Sequence, residues 1–161
     1  RIAGELFKDV AKIDIVNVPF GGGAPATTAI LGGHITLLVG NVLDCSHYIP
    51  TGRLRGIAVT SAQRAVNLPE VPTIAESGWP GFESLNWFGV MVRSGTPRPI
   101  VERLSAEIAK ALKAPEAGAI LTKQGFSEGT MSPADYDTYI RNEMQRNERI
   151  LKKLNLKLFA K

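Results

Sequence analysis

The sequence contains one cysteine and two histidines among 161 residues. Cys45 cannot form an internal disulfide, and one thiol with two imidazoles cannot complete a four-ligand zinc site without carboxylates or a second chain. Long hydrophobic runs are also missing: the longest uncharged stretch, residues 15–43, is interrupted by six glycines, two prolines, a histidine and two asparagines. We therefore expect no disulfide framework, no membrane span, no metal site and no cofactor.

The charged residues are unevenly distributed along the chain. Residues 1–84 carry 6 basic and 7 acidic side chains, whereas residues 85–161 carry 13 and 8. The basic side chains of the second part alternate with acidic ones and lack interleaved aromatic residues. This pattern favours a solvated basic face and predicts no nucleic-acid partner.

The first residues already follow an amphipathic helical pattern, with no initiator methionine and no signal peptide. We therefore expect an N-terminal portion to be missing. After this helix, short apolar runs at 14–18, 35–39 and 54–60 predict strands, and the segments 24–31 and 42–49 predict helices. Strands and helices that alternate with short connections indicate an α/β class with a largely parallel sheet.

The second part of the chain is predicted to be mainly helical. Residues 61–81 form a connecting segment, in which Thr73 and Glu76 predict a capping box for a short helix that ends at Gly78. Residues 85–92 predict a strand whose Trp87 and Phe88 are expected in the core. Three helices follow: the first is capped by Thr96, the second starts at Pro115, and the last starts at Ser132 and extends through Leu154. The apolar faces of these helices need more β-sheet to pack against than one predicted strand supplies.

Gly21–Gly23 is the segment best suited to binding a ligand. It joins a predicted strand to a predicted helix, where unobstructed backbone amides and the positive end of the helix dipole can seat a carboxylate or a phosphate. The segment matches neither a P-loop nor a dinucleotide fingerprint. A glycine turn that serves only backbone geometry is the alternative interpretation.

Other polar residues are weaker candidates. Asn41 follows a predicted strand, where its amide can contact a ligand or cap the next helix. Residues 44–47 (Asp-Cys-Ser-His) include the residue types of a catalytic triad, but Asp44 and His47 share a helical face from which the two nucleophiles diverge. We therefore predict no catalytic site there, and His34 is interpreted as a turn residue.

Several segments in fixed order resemble the Bug-type periplasmic solute receptors, which are the TctC-like binding proteins of tripartite tricarboxylate transporters. The matching blocks are residues 18–26 (VPFGGGAPA), 31–35 (LGGHI), 52–64 (GRLRGIAVTSAQR), 68–78 (LPEVPTIAESG), 87–89 (WFG) and 95–97 (GTP). The match covers about the C-terminal half of such a receptor.

The resemblance implies a type-2 periplasmic binding protein fold, in which two α/β lobes close on a small carboxylated solute. Residues 1–84 would form the second, ligand-binding lobe, truncated at its N-terminus. Residues 85–161 would supply a crossing strand and the incomplete C-terminal helical part of the first lobe. The implied protein is a periplasmic receptor that binds a mono-, di- or tricarboxylate and delivers it to membrane components of a transporter, without catalysis.

The resemblance also implies a set of ligand-binding residues. In the family, backbone amides of the glycine loop hold a ligand carboxylate, which corresponds here to Gly22, Gly23 and Ala24. The complete predicted site is Phe20, Gly21, Gly22, Gly23, Ala24 and Asn41. This sequence departs from the family pattern at Gly21, where a lysine is common, and at Thr36 and Gly40, where acidic residues are often found, so the solute stays open.

Two other functions remain as alternatives. One is a small α/β enzyme that binds a phosphorylated or carboxylated substrate at the glycine loop and uses His34 or His47 as a base. The other is a domain that docks on the transporter without binding a ligand. A base or nucleophile converging on the loop would favour the enzyme, and the sequence shows none.

Overall fold

The computed structural model describes residues 2–126 and 129–153. The helices are α1 (Ile2–Ala11), α2 (Gly23–Leu31), α3 (Val42–Cys45), α4 (Arg98–Leu112), α5 (Pro115–Lys123) and α6 (Pro133–Lys153), with a 3-10 turn at Ser46–Tyr48 after α3. No helix within these ranges is both long enough and apolar enough to cross a membrane. The chain divides into two compact units, Ala3–Asn86 with 121–126 and Trp87–Ile120 with 129–153.

The core of the first unit is built around Val59, Leu68 and Val71, against which Val42 and Ile49 pack. A second apolar contact joins α1 to the connecting segment, because the Phe7 ring meets the rings of Trp79 and Phe82 edge-on, with centroids 5.3 and 6.3 Å apart. These contacts hold the segment after residue 60 against the rest of the unit.

The predicted strands do not form β-ladders among the described residues. The only β-bridge there is an isolated parallel one between Val59 and Thr73, in which Val59 N donates to Pro72 O at 2.8 Å and Ile74 N donates to Val59 O at 2.9 Å. A ladder requires a neighbouring backbone in register. The segments 14–18, 35–39 and 85–92 have no such neighbour in the described part of the chain, and Val16 is 84% exposed.

The capping box in the connecting segment forms, but the helix predicted to follow it does not. Glu76 N donates to Thr73 Oγ1 at 3.0 Å, and Thr73 N donates to Glu76 Oε2 at 2.7 Å. Residues 74–78 are nevertheless turns. Arg64 Nε donates to both carboxylate oxygens of Glu76, and its Nη1 donates to Pro69 O at 3.0 Å. The box therefore fastens a turn to the core instead of starting a helix.

The second unit contains α4, most of α5 and α6. Thr96 does not cap α4: its hydroxyl donates to Arg93 O at 2.8 Å, and the helix begins at Arg98 after Pro97. Ser132 caps α6, because Asp135 N donates to its hydroxyl at 3.1 Å. The predicted helical residue Leu154 lies outside the described residues.

The two aromatic residues expected in the core of the second unit differ in their environment. The Trp87 ring meets the rings of Tyr136 and Tyr139 on α6 edge-on, at centroid distances of 6.0 and 5.9 Å. Phe88 is 65% exposed, so its predicted core position is wrong for the described residues. Successive residues of an extended segment point to opposite sides, and the Trp87 side faces α6.

Candidate functional site

The Gly21–Gly23 segment leads directly into α2, as the sequence predicts. Gly22 is the N-cap residue, and no side chain caps this end of the helix. The first intrahelical bond is the one from Ala26 N to Gly22 O at 3.5 Å. Because Pro25 has no N–H, the amides left over in this first turn are those of Gly23 and Ala24, together with Gly22 before them.

These amides are accessible from outside the unit. Gly21, Gly22 and Ala24 are exposed, Gly23 is partly buried, and the ring of Phe20 is 38% exposed. A Cβ added to Gly21 would meet nothing within 4 Å. Exposed N–H groups at the positive end of a nine-residue helix are suited to an anionic oxygen.

Asn41 lies near this end of α2 because it donates a hydrogen bond to Asp44, which contacts Gly23. It occupies the N-cap position of α3, but its side chain makes no capping hydrogen bond. Instead, Asn41 Nδ2 donates to Asp44 Oδ2 at 3.2 Å, and Asn41 Oδ1 accepts a hydrogen bond from Asn86 Nδ2 at 2.7 Å. The N-cap interpretation is therefore correct for its position and wrong for its hydrogen bonds.

Asp44 belongs to this group, although its sequence context marks it only as part of a triad-like pattern. A Cβ added to Gly23 would collide with its carboxylate, with 2.7 Å to Cγ and 3.1 Å to Oδ1. The carboxylate therefore lies in contact with the first residue of α2. Packing between α2 and α3 brings the two together across 21 positions of sequence, so no local pattern could reveal the contact.

The remaining polar residues of α2 and α3 contribute to packing. The buried Thr27 hydroxyl lacks a conventional hydrogen bond and faces the Cys45 thiol, a weak donor. Burial raises the pKa of the Cys45 thiol, the contact with Thr27 lowers it, and the charge of Asp44 raises it further. A thiol held in its neutral form is a poor nucleophile.

His34 does not reach the glycine loop. His34 lies just beyond the C-terminal end of α2, where its N–H donates to Ala29 O at 2.9 Å. Nine residues of helix separate it from Gly22, a distance of about 13 Å at 1.5 Å per residue. The His47 ring lies against the Tyr48 ring, with centroids 3.8 Å apart and ring planes tilted by 42°. Within the described ranges, no group of three or more His, Cys, Asp or Glu side chains could hold a metal ion.

Comparison with known proteins gives one consistent group of relatives. The family model of the tripartite tricarboxylate transporter family receptor, TctC, matches residues 1–156. The "UPF0065 protein in tcbD-tcbE intergenic region" of Pseudomonas sp. (strain P51) is 36% identical over 152 residues, which are 94% of this chain and 45% of that protein. The protein BugT of Bordetella pertussis is 31% identical over 96% of this chain and 47% of its own length.

Solved structures with the same fold include two proteins solved with carboxylates. The protein Rpa4515 of R. palustris, solved with adipate, has a TM-score of 0.88 at 33% identity, over 96% of this chain and 52% of that one. MatC of Rhodopseudomonas palustris, solved with bound malate, has a TM-score of 0.80 at 27% identity, over 93% and 52%. The periplasmic binding protein BugD has a TM-score of 0.81 at 25% identity. The chain spans about half the length of these proteins.

The high TM-scores confirm the predicted fold class, which is the α/β fold of type-2 periplasmic binding proteins. The backbone follows the course of these receptors even where the described residues lack ladder pairing. No comparison tests the predicted ligand-binding residues individually, so those six positions remain predictions. The family match over residues 1–156 and the relatives that cover nearly all of this sequence show that the chain belongs to the TctC family of tripartite tricarboxylate transporter receptors.

Proposed function

We propose that this chain forms part of an extracytoplasmic solute receptor that binds a small carboxylate at the N-terminus of α2. The observation that carries the proposal is the uncapped first turn, in which the amides of Gly22, Gly23 and Ala24 are available to an anion. Phe20 and Gly21 lead the chain into this turn, and Asn41 borders it through Asp44. Relatives solved with adipate and with malate support a carboxylate as the ligand class.

The proposal extends to the cellular role of the whole receptor. Residues 1–84 would belong to its second lobe and residues 85–161 to its first. The receptor would act in the periplasm and deliver its solute to the membrane components of a tripartite transporter, without chemical turnover. The family description and the periplasmic binding protein BugD among its structural neighbours support this role. Detection of the protein in the osmotic-shock fluid of its native cells would test the compartment, and recovery only from the cytosol would contradict it.

A residue-resolved titration tests the binding site directly. We would follow the amide resonances of the ¹⁵N-labelled chain at neutral pH while adding succinate, malate or adipate up to millimolar concentrations, so that weak binding is also detected. We expect saturable shifts centred on Gly22, Gly23 and Ala24, because a carboxylate that accepts their N–H bonds changes the environment of these protons. The uncharged diamide of each acid is the matched control and should cause much smaller shifts at these amides.

Two outcomes would contradict the proposal. Shifts that remain absent for every acid, in this chain and in the complete receptor, would remove the carboxylate seat. Saturable shifts centred on the second unit, with residues 22–24 unaffected, would move the ligand to a different part of the chain.

A further inference from the structure

The carboxylate of Asp44 lies at the N-terminal end of α2, where the proposed ligand carboxylate would also bind. A Cβ on Gly23 would have Asp44 Cγ at 2.7 Å and Oδ1 at 3.1 Å. A fixed negative charge at the positive end of a helix is favourable for the helix. The same charge repels any further carboxylate brought to that turn, so the turn alone accounts poorly for binding of a simple dicarboxylate.

Hydrogen bonds fix the orientation of Asp44. Asn41 Nδ2 donates to Oδ2 of Asp44, and Asn86 Nδ2 in turn donates to Asn41 Oδ1, so two amides hold one another and the carboxylate. Within residues 2–126 and 129–153, Asp44 Oδ1 accepts no hydrogen bond. An ionised carboxylate has acceptor capacity only, so any group that approaches Oδ1 favourably must be a donor.

These two observations define the chemistry of a matching ligand. A carboxylate that also carries a hydroxyl or an ammonium group on the adjacent carbon can place its own oxygen on the α2 amides and its donor on Asp44. An ammonium group would also neutralise the charge of Asp44 and form a charge-assisted hydrogen bond. An unsubstituted dicarboxylate presents only acceptors to Asp44.

We propose that Asp44 is a specificity-determining residue that selects carboxylates with a hydrogen-bond donor on the α-carbon, that is, 2-hydroxy or 2-amino acids, over unsubstituted dicarboxylates. The proposal rests on the proposed carboxylate seat and names the ligand class for that seat. Asp44 determines the selection, and Asn41 positions it.

The experiment compares three four-carbon diacids that differ only at the α-carbon: succinate, malate and aspartate. Dissociation constants come from the amide shifts of Gly22, Gly23 and Ala24 in the labelled chain at neutral pH. We expect the unmodified chain to bind aspartate and malate at least about fivefold more tightly than succinate, with aspartate ahead because its donor is charged. Equal affinity for the three acids, or a preference for succinate, in the unmodified chain would overturn the proposal.

Variants identify the residue responsible. Asp44→Asn keeps the shape of the side chain but removes its charge and presents a donor, so the preference over succinate should fall at least about fivefold. Asp44→Ser is a second variant, in case the amide disturbs folding, and amide dispersion checks both. Glu70→Gln changes the net charge equally at an exposed position and should retain the preference.

The outcomes separate the two proposals. If acids shift the amides of residues 22–24 and the preference survives in both Asp44 variants, the selection proposal is wrong and the carboxylate seat stands. If no acid shifts these amides in any protein, the seat itself is wrong, and the role of Asp44 falls with it.

Discussion

Replacing Gly23 by alanine should have opposite effects on stability depending on residue 44. Gly23 begins α2, and an alanine there favours the helical backbone by up to about 1 kcal/mol. In the unmodified chain, however, the new Cβ collides with the Asp44 carboxylate. The helix gains propensity only if Asp44 gives way.

The magnitude of the conflict follows from the contacts of Asp44. Relief requires either a shift of the backbone, at a cost of about 1–3 kcal/mol for overpacking, or rotation of the carboxylate. Rotation breaks the 3.2 Å hydrogen bond from Asn41 to the Asp44 carboxylate. A hydrogen bond to a charged group is worth about 1.5–3 kcal/mol. We therefore expect Gly23→Ala to lower the unfolding free energy by about 0.5–2 kcal/mol in the unmodified chain.

In an Asp44→Ala background the same substitution should be neutral or stabilising by up to about 1 kcal/mol, because the collision is gone. Urea unfolding of the four proteins of this double-mutant cycle measures the coupling between the two positions, expected to be about 0.5–3 kcal/mol. Gly21→Ala is the matched control, since an added Cβ there meets nothing within 4 Å and should not depend on residue 44.

The reasoning would be refuted if the effect of Gly23→Ala is the same in both backgrounds within about 0.5 kcal/mol, the usual limit of additivity for independent sites. Such a result would mean that Asp44 does not lie against the first residue of α2. The selection proposed for Asp44 would then lose its geometric basis.

Three further predictions concern other parts of the first unit. Replacing Thr73, which is 1% exposed, by valine should lower the unfolding free energy by about 1–2 kcal/mol, because Glu76 N loses its acceptor. Urea unfolding measures this change, and an unchanged midpoint would contradict it. The hydrogen bond from Arg64 lowers the pKa of Glu76 below its ordinary value, so the stabilising effect is fully present above the ordinary pKa and is lost as the pH falls through the lowered one. Melting temperatures recorded from neutral to acidic pH should therefore fall less steeply for Glu76→Gln, and parallel curves would argue against the Arg64 contact. Burial raises the pKa of Cys45, so iodoacetamide at mildly alkaline pH should alkylate it more slowly in the folded chain than in urea, whereas equal rates would show an open thiol.

Helices were predictable because their signals are local. The sequence places α2 at 24–31 and the structure at Gly23–Leu31, since apolar spacing and the flanking glycines act within a few residues. The strand segments are different, because a ladder depends on a neighbouring backbone that is often remote in sequence. Only the pairing of Val59 with Thr73 is made inside the described residues.

The candidate site shows the same limit at the level of side chains. The glycine loop could be identified from Gly21–Gly23, because a loop that enters a helix has a known electrostatic character. The contact between Asp44 and Gly23 could not, since it depends on how α3 packs against α2. The hydrogen bond between Asn41 and Asn86 spans 45 residues and was hidden for the same reason.

The discontinuity of the first unit has a consequence for protein engineering. The chain leaves this unit after Asn86 and contributes to it again from Leu121. The returning stretch is anchored there, because Asn67 Nδ2 donates to Lys123 O at 3.3 Å and a side chain on Gly125 would press on Val42. Truncation anywhere from 87 to 120 would therefore remove residues 121–126 from the first unit. A version of the first unit expressed alone would need these residues joined back through a synthetic linker.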